Sequence, residues 1–396
     1  MPTHVEQRTP RVYFEQVLRE PEPTFETGVP AFIGLGAVTE AVRLALAEPS
    51  AAGAGVAALD AASFSQLEAR AGAVWGDGYL GFAVRGFFQN GGRRCYVVIP
   101  PAGGLAKGLS ALDTIDDIDL VCAPDLAAMD TASMIEGQRQ LVAFCAAHGG
   151  CFAILDGIGS RVPDDAVDLA ALQSHRQALV ADLVGLENAG LYAPWIKVED
   201  APGAGFVPPC GHVAGVIART DGLAGVHKAP ANAVLEGVID LQLRIDENAQ
   251  RTLNPVGINC LRAFPGRGVR VFGARTLSTE ESWRYVSVRR LVLTIGRWLE
   301  ESMADVVFEP NDIRLWARIG RDVGAFLEGL RVAGALTGDT PKEAFFVKCD
   351  DETNPPATRD LGMVVTEIGV APVRPGEFIV VRVSSSADGA AAETPA

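Results

Sequence analysis

Three groups of side chains in this sequence have the types and spacing that chemistry requires. Cys145-x-x-His148-x-x-Cys151 sets three soft donors at a spacing that could hold zinc, with Cys122 or Cys95 as a fourth ligand. The same stretch also reads as the end of a helix, because His148-Gly149-Gly150 places glycine where a left-handed stop is wanted. Cys210-x-His212, beside Pro208-Pro209 and with His227 further on, could form a thiol–imidazole pair if the two side chains met and a third group oriented them. On a strand, alternate residues would share a face and make that contact. Packing of both side chains in the interior is the competing reading. The third group is Arg284, Arg289, Arg290 and Arg297, a basic cluster on one helix of an acidic protein. It reads either as a set of intramolecular ion pairs with Glu300, Glu301 and nearby aspartates, or as a docking face for an acidic protein partner. Carboxylate runs such as Asp116-Asp117 and Asp350-Asp351-Glu352 read as solvated loop surface. The sequence contains no G-x-S-x-G, H-E-x-x-H or G-x-x-x-x-G-K-[ST] motif and no dinucleotide fingerprint.

The elements that must position these residues follow from apolar periodicity. Residues 1–24 have no period beyond one short strand-like run, Val12-Tyr13-Phe14, before Pro21-Glu22-Pro23, and read as an extended arm. Residues 25–220 alternate strands with helices. The strands are expected at 31–34, 96–99, 119–122 and 152–156, and the helices at 130–147 and 165–187, the pattern of an α/β layer with a largely parallel sheet. Residues 221–370 change to α+β. A strand at 269–272 precedes a helix over 283–302 with Val288, Leu291, Val292, Ile295 and Leu299 on one face. A second helix begins at the cap residue Asp312 with a stripe from Trp316 to Leu330. Strands are expected at 306–308, 345–347, 363–365 and, in a C-terminal arm over 371–396, at Phe378-Ile379-Val380-Val381. The small polar tail from Ser384 to Ala396 is expected to be disordered. Strand-forming segments at both chain ends are the ones most easily donated to another subunit's sheet.

Length and composition bound the function. The chain has 396 residues, 48% of them hydrophobic, enough for two or three cores. A formal net charge of −15 argues against nucleic acid as a partner and favours solubility at high local concentration. The polar opening has no apolar leader region, and no apolar run is long enough to span a bilayer, so synthesis in the cytoplasm without membrane insertion is expected. Seven cysteines, mostly in apolar surroundings, read as buried free thiols.

Several segments together resemble the tail sheath proteins of contractile phages and related injection systems. The most specific are His227-Lys228-Ala229-Pro230-Ala231-Asn232, Leu253-Asn254-Pro255-Val256-Gly257-Ile258-Asn259 and the stretch from Gly266 to Thr276. Trp283 to Arg290, Phe308 to Asp312, Phe345 to Asp350 and Thr353-Asn354-Pro355-Pro356 follow in order. Upstream, Tyr192 to Trp195, Pro208 to His212, Gly86 to Gly92 and Thr9 to Tyr13 are similar, although Arg11 stands where the family commonly has glycine. The chain is short for a phage sheath and is similar to the compact sheaths of extracellular injection systems. The resemblance implies a structural subunit with no cofactor and no catalytic residue. Its partners would be itself, as a helical homopolymer, an inner tube protein, and baseplate and terminal cap proteins. The subunit would be made in a bacterial cytoplasm and assembled into a phage tail or a released particle. Val12 to Phe14 and Phe378 to Val381 would add strands to neighbouring subunits, with hinges at Pro21-Glu22-Pro23 and Pro372 to Gly376. The C-terminal half would face the tube, with Arg284, Arg289, Arg290 and Arg297 as contacts. Contraction would drive the tube through a target membrane. A cytosolic α/β cysteine hydrolase or zinc-binding enzyme is the catalytic alternative, and a non-contractile tube the structural one.

Overall fold

The structure, a computed structural model, describes residues 26–47, 55–72, 75–100, 104–159, 168–201, 203–377, 382–386 and 389–393. Its centre is a nine-stranded sheet made of β1 (Pro30–Ile33), β2 (Val56–Asp60), β3 (Arg94–Val98), β4 (Leu120–Cys122), β5 (Phe152–Asp156), β6 (Ala189–Ala193), β9 (Ala233–Val234), β11 (Ile258–Phe264) and β12 (Gly268–Val271). The order is β2-β3-β1-β4-β5-β6-β11-β12-β9. The strands from β3 through β11 run parallel, and β2, β12 and β9 add antiparallel edges. Short strands β7 (Ile196–Lys197), β8 (Phe206–Val207) and β10 (Asp240–Leu241) form a three-stranded sheet. The main sheet therefore runs on to Val271, across the boundary expected near residue 220.

Alternation along the strands divides the interior into two cores. Phe32, Val97, Cys122 and Ile154 point to one face, and Ala31, Ile33, Val98, Val121 and Leu155 to the other. The first face is covered by α3 (Leu80–Gln89) and α7 (Cys210–Ala224), with α1 (Glu40–Ala47) and α2 (Ala61–Ala71) beyond them. The second is covered by α4 (Gly104–Leu112), α5 (Thr131–His148), α6 (Leu169–Val180) and α8 (Glu247–Leu253). Asp130 caps α5 by accepting from the Ala132 and Ser133 N–H groups.

A third core lies under α9 (Val286–Ser302) and α10 (Ile313–Val332), where Leu291 and Ile295 meet Trp316, Ile319, Val323 and Leu327. The two expected stripes are thus one interface, sealed by Trp298 stacked on Phe326 at 3.8 Å. Asp312 is the cap of α10, as its position suggested. After α11 (Pro341–Ala344), β13 (Phe345–Lys348) pairs antiparallel with β14 (Glu367–Val370), with α12 (Pro356–Asp360) between them. A hairpin of β15 (Arg382–Ser386) and β16 (Gly389–Glu393) closes the chain, where disorder was expected.

Other expectations need correction. The helix expected over 165–187 is shorter at its C-terminal side and ends at Val180. No strand forms at 306–308. Residues 304–306 make a single helical turn, and Phe308 takes a left-handed φ of 73° with its ring in solvent. The strand expected at 363–365 lies at 367–370. The Val365 peptide is bonded instead to the side-chain amide of Asn354 (2.6 and 3.0 Å), so its groups are not available to a ladder. Val12, Tyr13, Phe14 and Phe378 to Val381 fall outside the described residues.

Candidate functional site

The thiol candidates are built into the cores. Cys145 and Cys151 are fully buried on the second face. Gly149 adopts a left-handed φ of 77° and its N–H donates to the Cys145 carbonyl at 3.3 Å, so the segment is a helix stop. Burial pushes the Cys145 thiol well above its ordinary value and Cys151 up to about 12. Protonated thiols of this kind are poor ligands and poor nucleophiles. Cys210 and His212 are not on a strand. They occupy the first turn of α7, where positions two apart point away from each other. The Cys210 N–H donates to Asp156 Oδ1 at 2.8 Å, and burial raises its thiol as well. The His212 ring lies on Gly86, where a Cβ would come within 2.2 Å of its Nδ1, and burial lowers its pKa to about 4. Among the described residues no three His, Cys, Asp or Glu side chains gather as a metal site.

The arginines of α9 divide between inside and outside. Arg290 is 2% exposed, and its guanidinium donates to Asp221 at 2.9 and 2.6 Å and to Asp119 at 2.7 Å. Arg297 is also buried, packed on Gly150. Neither presents charge outward, which removes both from the docking face expected of them. An unpaired guanidinium could not be buried at acceptable cost, and two carboxylates from distant parts of the chain compensate it. Arg289 is half-buried, bonded to Asn188 Oδ1 at 3.0 and 2.8 Å and lying 5.0 Å from the Trp283 ring. Arg284, expected on the same helix, lies in the turn just before α9 and is partly exposed. The ion-pair reading holds for Arg290, with partners other than Glu300 and Glu301. Asp119 and Asp221 lie 171 and 69 residues away, so helical spacing could not have found them.

Two surfaces stand out as incomplete. The first is the pair β13–β14. Phe345, Val347, Ile368 and Val370 pack on the third core, yet neither strand pairs with a third among the described residues. Open peptide edges on an anchored sheet are receptive to further strands. The second is an apolar tip. Val307, the fully exposed Phe308, Ile313, Leu361 and Met363 all face solvent. Asn311 ties its two loops together by donating to the Met363 carbonyl at 2.8 Å. Sequence reading missed this tip because the loops it joins, at Asn311 and Met363, are 52 residues apart.

The family models for the phage tail sheath protein central domain and the phage tail sheath C-terminal domain match residues 102–277 and 278–385. The tail sheath protein of Vibrio phage KVP40 is 27% identical over 193 residues, and that of Enterobacteria phage T4 is 24% identical over 189. These matches take in 48% and 47% of this chain but only 28% of each phage protein. Among solved structures, a chain of the anti-feeding prophage baseplate is 30% identical with a TM-score of 0.73, covering 96% of this chain and 99% of that one. A chain of the contracted helical sheath of the same particle is 29% identical with a TM-score of 0.72, covering 95% and 99%. A chain of the PVC sheath complex, an extracellular contractile injection system in its contracted state, is 26% identical with a TM-score of 0.73, covering 96% and 98%.

Proposed function

This chain belongs to the contractile phage tail sheath family, and we propose that it is the subunit of a contractile sheath of the compact, injection-system kind. In this reading it polymerises as stacked helical rings around an inner tube, between a baseplate and a terminal cap. The single observation that supports this most is the open-edged β13–β14 sheet anchored on its own core. Strands brought by neighbours satisfy its edges, and the segments at Val12 to Phe14 and Phe378 to Val381 supply them. The mixed α/β body of residues 26–277 stands outward, and the part built on α9 and α10 stands inward. Arg284, Arg289 and the apolar tip at Phe308 then face the tube or the next subunit.

The work of such a sheath comes from interface free energy. An extended polymer held by kinetic barriers rearranges, its subunits moving nearly as rigid bodies into larger interfaces. The thiols that the enzyme alternative relied on, Cys145, Cys151 and Cys210, are all buried. Electron microscopy of the purified chain, alone and with its tube protein, tests the reading. Hollow striated cylinders, with a longer and narrower population when the tube is present, are expected. A uniform field of small particles at high concentration would refute it.

A further inference from the structure

Glu26 and Glu377, which adjoin residues 1–25 and 378–381, are each held by an ion pair. Termini ordinarily fray unless tied down. Here Glu26, the first described residue, accepts from Arg94 Nη2 at 2.7 Å, and Arg94 also pairs with Asp117. Two residues later the Gly28 and Val29 N–H groups donate to the two oxygens of Asp119 at 3.0 and 2.7 Å. Asp119 is itself held by Arg290, which grips Asp221 with both ends of its fork. Gly28 has a φ of 75° and sits so close to α7 that a Cβ would be 2.6 Å from the Ala218 Cα. The chain then enters β1, which pairs with β3 on one side and β4 on the other. A pull along β1 loads both ladders in shear, so their hydrogen bonds share the load instead of opening one by one.

The other end repeats the arrangement. Glu377, the last residue described before 378–381, takes a two-pronged bond from Arg275, with Nε at 2.9 Å and Nη2 closer still. The pair is largely shielded, with side chains 11% and 17% exposed. Arg275 is fixed in turn to the main sheet. Its N–H donates to Asn259 Oδ1 at 2.7 Å, and the Asn259 amide donates back to the Arg275 carbonyl at 2.7 Å. Asn259 lies fully buried on β11. The C-terminal segment is therefore tied to the nine-stranded sheet, not only to the smaller third core from which it emerges. Charge-assisted two-pronged pairs out of water are the strong class of hydrogen bond.

We propose that these two ionic clusters are strain anchors, delivering force carried by residues 1–25 and 378–396 into the one nine-stranded sheet during contraction. Glu377 and Arg275 form the C-terminal anchor, and Asp119, Arg290 and Asp221 form the N-terminal one. The inference rests on the reading that the terminal segments tether neighbouring copies. Glu377 is the residue to test, because it lies beyond the last strand of the third core and its loss leaves all three cores intact.

The full-length chain carrying Glu377→Ala or Glu377→Gln is assembled with tube and baseplate beside the unmodified protein. Contraction is triggered with urea, which does not screen ion pairs, and continuous and broken sheaths are counted by negative stain. The broken fraction should rise about tenfold with Glu377→Ala and less with Glu377→Gln, which keeps one acceptor. The thermal midpoint of the unassembled chain should fall modestly, and Ile319→Val, a core change of similar cost far from both anchors, should contract without added breakage, which separates anchoring from a general loss of stability. Equal breakage in all three proteins overturns the proposal, as does equal breakage in Ile319→Val. Failure of the unmodified chain to polymerise at all would instead remove the sheath reading on which the anchors depend.

Discussion

At the scale of single residues, the interior of this protein holds several ionisable groups in their neutral forms. Asp156 ends β5 beneath α7, and burial raises its pKa to about 7, partly offset by the Cys210 N–H and thiol. In the unfolded chain it titrates near 4. Between these values the folded state holds a proton that the unfolded state has released. Stability due to this group is therefore full below about pH 4 and is lost as pH rises towards 7. His175 and His212, lowered by burial to about 4, act in the opposite sense and weaken the fold as pH falls from about 6.5. The difference between Asp156→Asn and the unmodified protein isolates the aspartate. Asparagine keeps an acceptor for Cys210 and cannot ionise, so its advantage should grow by about 2–4 kcal/mol between pH 5 and pH 8. Chemical denaturation at the two pH values measures it, and a pH-independent difference would contradict it.

At the scale of elements, α3 and α7 approach closely because glycines remove side chains from the crossing. A Cβ on Gly211 would lie 2.1 Å from the Ala83 carbonyl oxygen, and one on Gly215 would lie 2.5 Å from that of Phe87. Both obstacles are backbone and cannot swing aside. Gly211→Ala should cost about 3 kcal/mol through forced separation of the helices. Gly296→Ala on α9, where a Cβ meets nothing within 4 Å, should instead gain about 1 kcal/mol from helix propensity. Thermal melts of the two variants should shift in opposite directions. This scale is also where sequence reading was most and least successful. Periodicity placed α5, α9 and α10 to within a few residues, since each buries one continuous stripe. It failed at 306–308 and 363–365, apolar triplets whose peptide groups bond to side chains or to nearby turn backbone and not to a neighbouring strand.

At the scale of the molecule, Arg290 joins parts of the chain that the two family matches divide at residue 277/278. Its guanidinium, carried on α9, neutralises Asp119 beside β4 and Asp221 on α7. Replacement by methionine fills similar space but leaves two carboxylates buried without a cation. A loss of about 3–5 kcal/mol is expected, because a broken buried pair costs more than an absent one. Urea unfolding of the unassembled chain measures this, and a second transition would show that the two parts had come apart. A loss under about 1 kcal/mol would mean that water reaches the carboxylates, contrary to their burial.

The sequence by itself determined the alternation of strands and helices, the apolar faces, the cap at Asp312, the stop at Gly149 and, through its ordered motifs, the family. These are local matters of spacing, propensity and residue type, readable within a dozen positions. Only the tertiary structure decided which of the α9 arginines turn inward, because Arg290 chooses between solvent and two carboxylates that no local pattern connects to it. The same holds for the pairing of Glu377 with Arg275, 102 residues away, and for the apolar tip assembled from two loops. Long-range electrostatics and packing depend on where the backbone brings distant residues, and that is fixed only when the sheet has formed.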